Sequence, residues 1–148
     1  MFEVNVLAFD LGSTWACYDG ADAWHHTATG ARPEKLANFA ANALGCGALA
    51  LYDLVIYERP FARGQAATRL LWGMAGILEA AAYNAGAAVL CTTPAEIKKW
   101  STGSGRASKE EMLVAARAMG YKGDNEHEAD AFCLWNFAQA TVTMEPAQ

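Results

Sequence analysis

Val4-Asn5-Val6-Leu7-Ala8-Phe9-Asp10-Leu11-Gly12-Ser13-Thr14 is an apolar run that stops on a carboxylate and turns at once through a glycine and two hydroxyl residues. Such a run reads as a buried strand. A carboxylate at its end costs several kcal/mol in desolvation unless it is paired or holds a cation. No basic residue directly follows Asp10, so a metal is the natural partner. A second run, Leu54-Val55-Ile56-Tyr57, ends in the same way on Glu58, and two more candidate ligands, His127 and Asp130, stand within Asn125-Glu126-His127-Glu128-Ala129-Asp130-Ala131.

Outward from the first strand, residues 3 to 29 read as a meander of three strands: Glu3 to Asp10, Thr14 to Tyr18, and Ala23 to Thr27. The Asp19-Gly20 pair between the last two is a hairpin signal. Pro33 opens a helix that Gly45 stops, with Leu36, Phe39, Ala40 and Ala43 on one face. Asp53 to Glu58 is a buried strand ended by Arg59-Pro60. The helix Gln65 to Asn84 is apolar on more than one face, so both its sides need cover, one of them from a second subunit or from the core. Ala87 to Cys91 is a short strand, and Pro94 to Trp100 a helix. Ser108 and Glu111 form a capping box for a helix to Met119, and a last helix runs from about Asn125 to Ala140. A meander followed by alternating helix and strand predicts an α/β fold with a mixed sheet and helices on both faces.

The chain has 148 residues, 53% of them hydrophobic and 18% charged, enough for one compact domain over 1–144 with a short disordered tail at 145–148. There is no apolar run long enough to span a membrane and no signal-peptide pattern, so a soluble, cytoplasmic protein with no membrane partner is expected. Cys17, Cys46, Cys91 and Cys133 lack both zinc-site spacing and disulfide-scaffold density, and read as reduced, mostly buried thiols. The net charge of −5 conceals an uneven distribution: residues 59–109 carry +5 and the remainder −10. A basic face of that kind can bind phosphates, with a salt-sensitive affinity; an ordinary solvated mixture of charges is the alternative.

Asp10-Leu11-Gly12-Ser13-Thr14 by itself leaves several readings open. A strand-terminal Asp followed by glycine and hydroxyls can hold Mg²⁺ and let a phosphate approach the backbone. Sugar-kinase and actin-like ATPases use such a strand end, ribonuclease H-like nucleases use it too, and an Asx-turn would explain it without chemistry. Glu58 discriminates better, because its strand would lie beside the first and bring both acids to one sheet edge. His127 and Asp130, three positions apart on a helix, share a face, with Glu126 close to it and Glu128 roughly opposite. Acidic residues also suit a helix N-terminus for dipole reasons alone. Taken together the four residues have the layout for two-metal hydrolysis of a phosphodiester: Asp10 bridging, Glu58 holding one cation, and Asp130 with His127 the other. His127 could instead orient or deprotonate the attacking water. The kinase-like reading needs a second related half, for which 148 residues leave no room.

Over nearly its whole length the chain resembles the RuvC family of Holliday junction resolvases, in a short phage- or prophage-type version. The likeness runs through Val6 to Asp10, Val55-Ile56-Tyr57-Glu58-Arg59-Pro60-Phe61, Thr93-Pro94-Ala95-Glu96-Ile97-Lys98 and Glu128-Ala129-Asp130-Ala131. It implies a ribonuclease H-like fold and an endonuclease that resolves four-way DNA junctions with two Mg²⁺ per site, Mn²⁺ substituting. It implies Asp10, Glu58 and Asp130 as catalytic metal ligands, and His127 at a position that is Asp in many members and His in some. Phe61 matches the aromatic wedge that helps open the junction, Lys98 and Lys109 match backbone-contacting residues, and the dimer helix corresponds to 65–84. Arg63, Lys99 and Arg106 are additional candidate phosphate contacts that no motif singles out. A broader branched-DNA or flap nuclease and a non-catalytic junction-binding protein are the competing expectations. His25 and His26 are expected to be structural or exposed.

Overall fold

A computed structural model describes residues 3–61 and 64–142, without the side chains of residues 46 and 47. Arg63 and the expected tail at 145–148 therefore lie outside the described residues. Five strands form one sheet in the order β3-β2-β1-β4-β5: β1 Val6–Asp10, β2 Thr14–Tyr18, β3 Ala23–Thr27, β4 Leu54–Glu58 and β5 Ala88–Thr92. The first three make an antiparallel meander, and β4 and β5 add in parallel beside β1. This is the mixed sheet predicted from the sequence.

Burial on both faces is what the uninterrupted apolar strands require. Side chains alternate across the sheet, and the strands sort accordingly. Leu7, Phe9, Val55 and Tyr57 pack with α1 (Arg32–Ala43) and α2 (Gln65–Ala85) on one side. Val6, Ala8, Leu54 and Ile56 pack on the other with α3 (Pro94–Thr102), α4 (Lys109–Ala118) and α5 (Glu126–Thr141). Asp10 and Glu58 continue the second parity, so both carboxylates fall on the α5 side of the sheet at neighbouring strand ends.

Side-chain caps position the helices of that side. Ser108 with Glu111 caps α4, as the sequence predicts, and Thr93 with Glu96 caps α3 in the same reciprocal way. The Asn125 side chain accepts from the amides of His127 and Glu128, both at 3.0 Å, and so fixes where α5 begins. Farther along α5, Trp135 Nε1 donates to the Val6 carbonyl at 3.1 Å and Gln139 Nε2 to the Val4 carbonyl at 2.9 Å. The helix is thereby tied to the backbone of β1 and of the segment that leads into it. Gly20 has φ 98°, and a Cβ there would lie 2.7 Å from the Trp135 ring, so the hairpin turn seats closely on the same helix.

Several boundaries and burials differ from expectation. β1 begins at Val6 rather than Glu3, because Asn5 and Asp53 are engaged with each other: the Asn5 amide donates to Asp53 Oδ2 at 2.9 Å and the Asp53 amide to the Asn5 carbonyl at 2.8 Å. A 3₁₀ segment, Gly45–Leu51, joins α1 to β4 where no element is expected. Cys17 and Cys133 are buried free thiols, but Cys91 is exposed, because β5 is an edge strand. On α2 the inward stripe is Leu70, Met74, Ala75, Leu78 and Ala82, while Trp72 and Tyr83 remain 45% and 84% exposed. Among the described residues no helix is long and apolar enough to cross a membrane.

Candidate functional site

The end of β1, the end of β4 and the first turns of α5 meet at one sheet edge. His127 Nδ1 stands 2.8 Å from Asp10 Oδ2, with the two side chains 29% and 20% exposed. Asp130 follows one turn later on the same helix face. Glu58, Asp10 and Asp130 are close enough that each of the two outer acids feels Asp10's charge. The four residues picked from the sequence as catalytic are thus neighbours in space.

Their ionisation records how poorly this arrangement suits bare carboxylates. Burial pushes the Glu58 carboxyl up to about 7, the negative charge of Asp10 adds to the rise, and Lys98 opposes it. Burial likewise raises Asp130 to about 7, reinforced by Asp10 and Glu58 and opposed by His127 and Lys109. Asp10 is raised by burial, although His127 pulls the other way. The hydrogen bond that His127 donates to Asp10 is the main reason that the imidazole is held above its usual range. The imidazole bonds one of the three acids directly, and Lys98 and Lys109 act on the others only through their charge.

A divalent cation is the complement such a set calls for. Oxygen donors from Asp and Glu match a hard ion such as Mg²⁺, and like charges drawn together at a desolvated edge are relieved by it. As they stand, no three His, Cys, Asp or Glu side chains among the described residues are gathered tightly enough to hold a metal. The donor chemistry fits the ion. An ion drawing on Asp10 Oδ2 would compete with His127 for that oxygen.

Around the acids lies a partial ring of cations. Lys109 Nζ reaches Glu126 Oε1 at 3.3 Å, and the same oxygen is 3.7 Å from His127 Nε2. A chain of alternating charge thus runs from Lys109 through Glu126 and His127 to Asp10. Glu126 is more than a neighbour of the site face, the part the sequence assigned it, and its bridging position follows only from the packing of α4 against α5. Lys98 on α3 is half-buried within range of Glu58, whereas Lys99 and Arg106 are exposed. Phe61 stands 80% exposed beyond the Glu58 strand, so it is not a core residue. With Arg59, Pro60, Trp72, Thr93 and Pro94 it lines a cleft of about 330 Å³. His25 and His26 lie outside the acid cluster: both are exposed, His25 sits 3.4 Å from Glu128, and His26 stacks on Trp15.

No family profile matches the chain. A stretch of 80 residues is 38% identical to the crossover junction endodeoxyribonuclease RuvC of Corynebacterium glutamicum, covering 53% of this chain and 36% of that protein. The match thus spans only about a third of the relative's length. Among solved structures, Thermus thermophilus RuvC in complex with a Holliday junction substrate superposes with a TM-score of 0.73 at 22% identity, covering 89% of this chain and 90% of that one. A second Thermus thermophilus RuvC structure gives 0.68 at 21% identity, covering 87% and 89%. The fold is that of RuvC, the ribonuclease H-like arrangement expected from the sequence.

Proposed function

We propose that this chain is a divalent-metal-dependent endonuclease that cuts four-way DNA junctions in the manner its RuvC relatives' names describe. The observation that carries the reading is the convergence of Asp10, Glu58 and Asp130 at one sheet edge with too little positive charge to balance them. Asp10, Glu58 and Asp130 would hold two Mg²⁺ ions. When bound, such ions polarise a phosphodiester and lower the pKa of the attacking water. The local sequence match to a crossover junction endonuclease and the superposition on a junction-bound RuvC support the substrate class.

The chain's own residues have separable parts in this scheme. His127, bound through Nδ1 to Asp10 and favouring its protonated form, orients that carboxylate and stores a proton beside it. This use of Nδ1 favours an orienting and proton-holding part for His127 over a metal-ligand part. Lys109 and Lys98, next to the acids, offset the charge of an incoming phosphate, and exposed Phe61 supplies an aromatic face for unpaired bases at a junction centre. The proposed homodimer pairs two copies through α2, whose outward face carries Trp72 and Tyr83 with the small residues Gly76 and Ala80 between them.

The decisive experiment is cleavage of synthetic four-way, three-way and flap substrates in Mg²⁺ and in Mn²⁺. Asp10→Asn and Asp130→Asn should each lose more than the roughly 10–100-fold that removal of an outer-shell partner costs. Wild-type rates in either variant would refute the metal-site reading. Equal cleavage of all three substrates would replace junction selectivity with a general branched-DNA activity.

A further inference from the structure

On the opposite side of the sheet edge from α4 and α5 there is a second cleft, of about 300 Å³, lined by Ser13, Arg32, Lys35, Ala66, Ala67 and Leu70. Its location follows from the strand directions. β3 runs parallel to β1, since both are antiparallel to β2, so β3 ends and α1 begins at the edge where Asp10 lies. The Ala28 amide donates to the Ser13 carbonyl at 2.8 Å, and the Thr14 and Thr27 hydroxyls meet at 2.8 Å, which closes the β3 end onto the β1–β2 turn. Ser13 is three residues beyond Asp10. The N-terminal turns of α2, downstream of Glu58, form the far wall.

The wall of this cleft is almost wholly apolar, with the stems of Arg32 and Lys35 beside Ala66, Ala67 and Leu70, and its charge is confined to the rim. Arg32 and Lys35 are half-buried, and among the described residues neither makes an ion pair. Lys35 Nζ donates to Ser13 Oγ at 3.1 Å, which holds the ammonium at the turn after β1. The acid nearest in sequence, Glu34, folds back onto Gly30 instead of lining the cleft. Two cations without ion pairs and a hydroxyl at the rim suit a phosphate held outside the concavity, and the apolar wall of Ala66, Ala67 and Leu70 suits the sugar attached to it.

We infer that Arg32, Lys35 and Ser13 seat a backbone phosphate of the DNA strand after it crosses the acid cluster. This rests on the nuclease reading above and extends it. Lys98 and Lys109 lie on the α3 and α4 side, Arg32 and Lys35 on the α1 side, and Asp10 between them at the edge. A strand held on both sides is fixed in register over Asp10, so Arg32 and Lys35 are positioning residues.

The test is binding of a labelled synthetic four-way junction in Ca²⁺, followed by fluorescence anisotropy over a range of KCl concentrations. Replacing Arg32 and Lys35 together by alanine should weaken binding about ten-fold near 0.1 M salt and flatten the dependence of log affinity on log salt by about 1 to 2, one for each phosphate no longer neutralised. Lys35→Arg should retain the parental slope because the charge is kept, and a slope change on loss of charge is a readout that a merely structural role would not move. If the double variant melts early, Lys35→Gln alone should still flatten the slope by about 1. A double variant that keeps parental affinity and slope while cutting junctions overturns the seat and leaves the nuclease reading intact. Unaltered protein that neither binds nor cuts junctions overturns the nuclease reading, and the seat with it.

Discussion

Asp130 and Glu58 hold protons near neutrality that the unfolded chain would have released near pH 4, and this difference is a statement about stability. A carboxyl whose folded pKa is raised contributes stability at low pH that is lost as pH rises through the folded value. For both groups that window runs from about 4 up to about 7. In a chelating buffer the melting temperature of the wild type relative to Asp130→Asn should therefore fall between pH 5 and pH 8, by the equivalent of about 2 kcal/mol. Adding Mg²⁺ at pH 8 should recover it, because a ligand of the native state alone stabilises by mass action. Differential scanning fluorimetry would decide, and a wild-type melting temperature that rises relative to Asp130→Asn with pH in chelator would contradict the burial of these acids as the cause. At the same scale, Glu126→Gln breaks the bridge between Lys109 and His127. It should lower the imidazole's pKa, read from its NMR titration, while changing melting by less than about 1 kcal/mol, since the pairs are partly exposed.

Among the elements, α5 starts on a side-chain cap from a residue outside it, Asn125. Asn125→Ala removes the acceptor for the His127 and Glu128 amides and should destabilise the protein by about 1 kcal/mol, measured by urea denaturation. Because the first turn carries His127, the same change should lower junction cleavage more than it lowers stability. What could be read in advance also divides by element. β1 and β4 are apolar throughout and end in acids, so their burial, adjacency and edge were all legible in Val6–Asp10 and Leu54–Glu58. The Ser108 and Glu111 capping box was legible from its spacing, and Thr93 with Glu96 carries the same signal. The 3₁₀ segment Gly45–Leu51 was not, because Gly-Cys-Gly followed by apolar residues has no period. Nor was the contact of His127 with Asp10 or the bridging place of Glu126, since both depend on how α5 lies across β1 and beside α4. Cys91 escaped for a related reason: a strand's own letters do not say whether it lies at the edge.

At the scale of the molecule, the exposed Trp72 and Tyr83 on α2 are the natural contact for the proposed second copy, and a two-fold pair would match the symmetry of a four-way junction. Trp72→Glu combined with Tyr83→Glu should sediment as a monomer in analytical ultracentrifugation and lose paired incisions while retaining slow single nicks. A double variant that stays dimeric would move the interface elsewhere. Alternation across the sheet has a further implication for how this chain can vary. Asp10 and Glu58 reach the α5 side only because they stand an even number of positions, four, after Val6 and Leu54. Loss or gain of one residue within either strand would turn the acid toward α1 and α2 and put an apolar neighbour in its place; a change of two would restore the facing at the expense of length. Insertions and deletions in these strands should be tolerated in pairs or not at all, so the spacing of the acids within their strands is as much a part of the site as their chemistry.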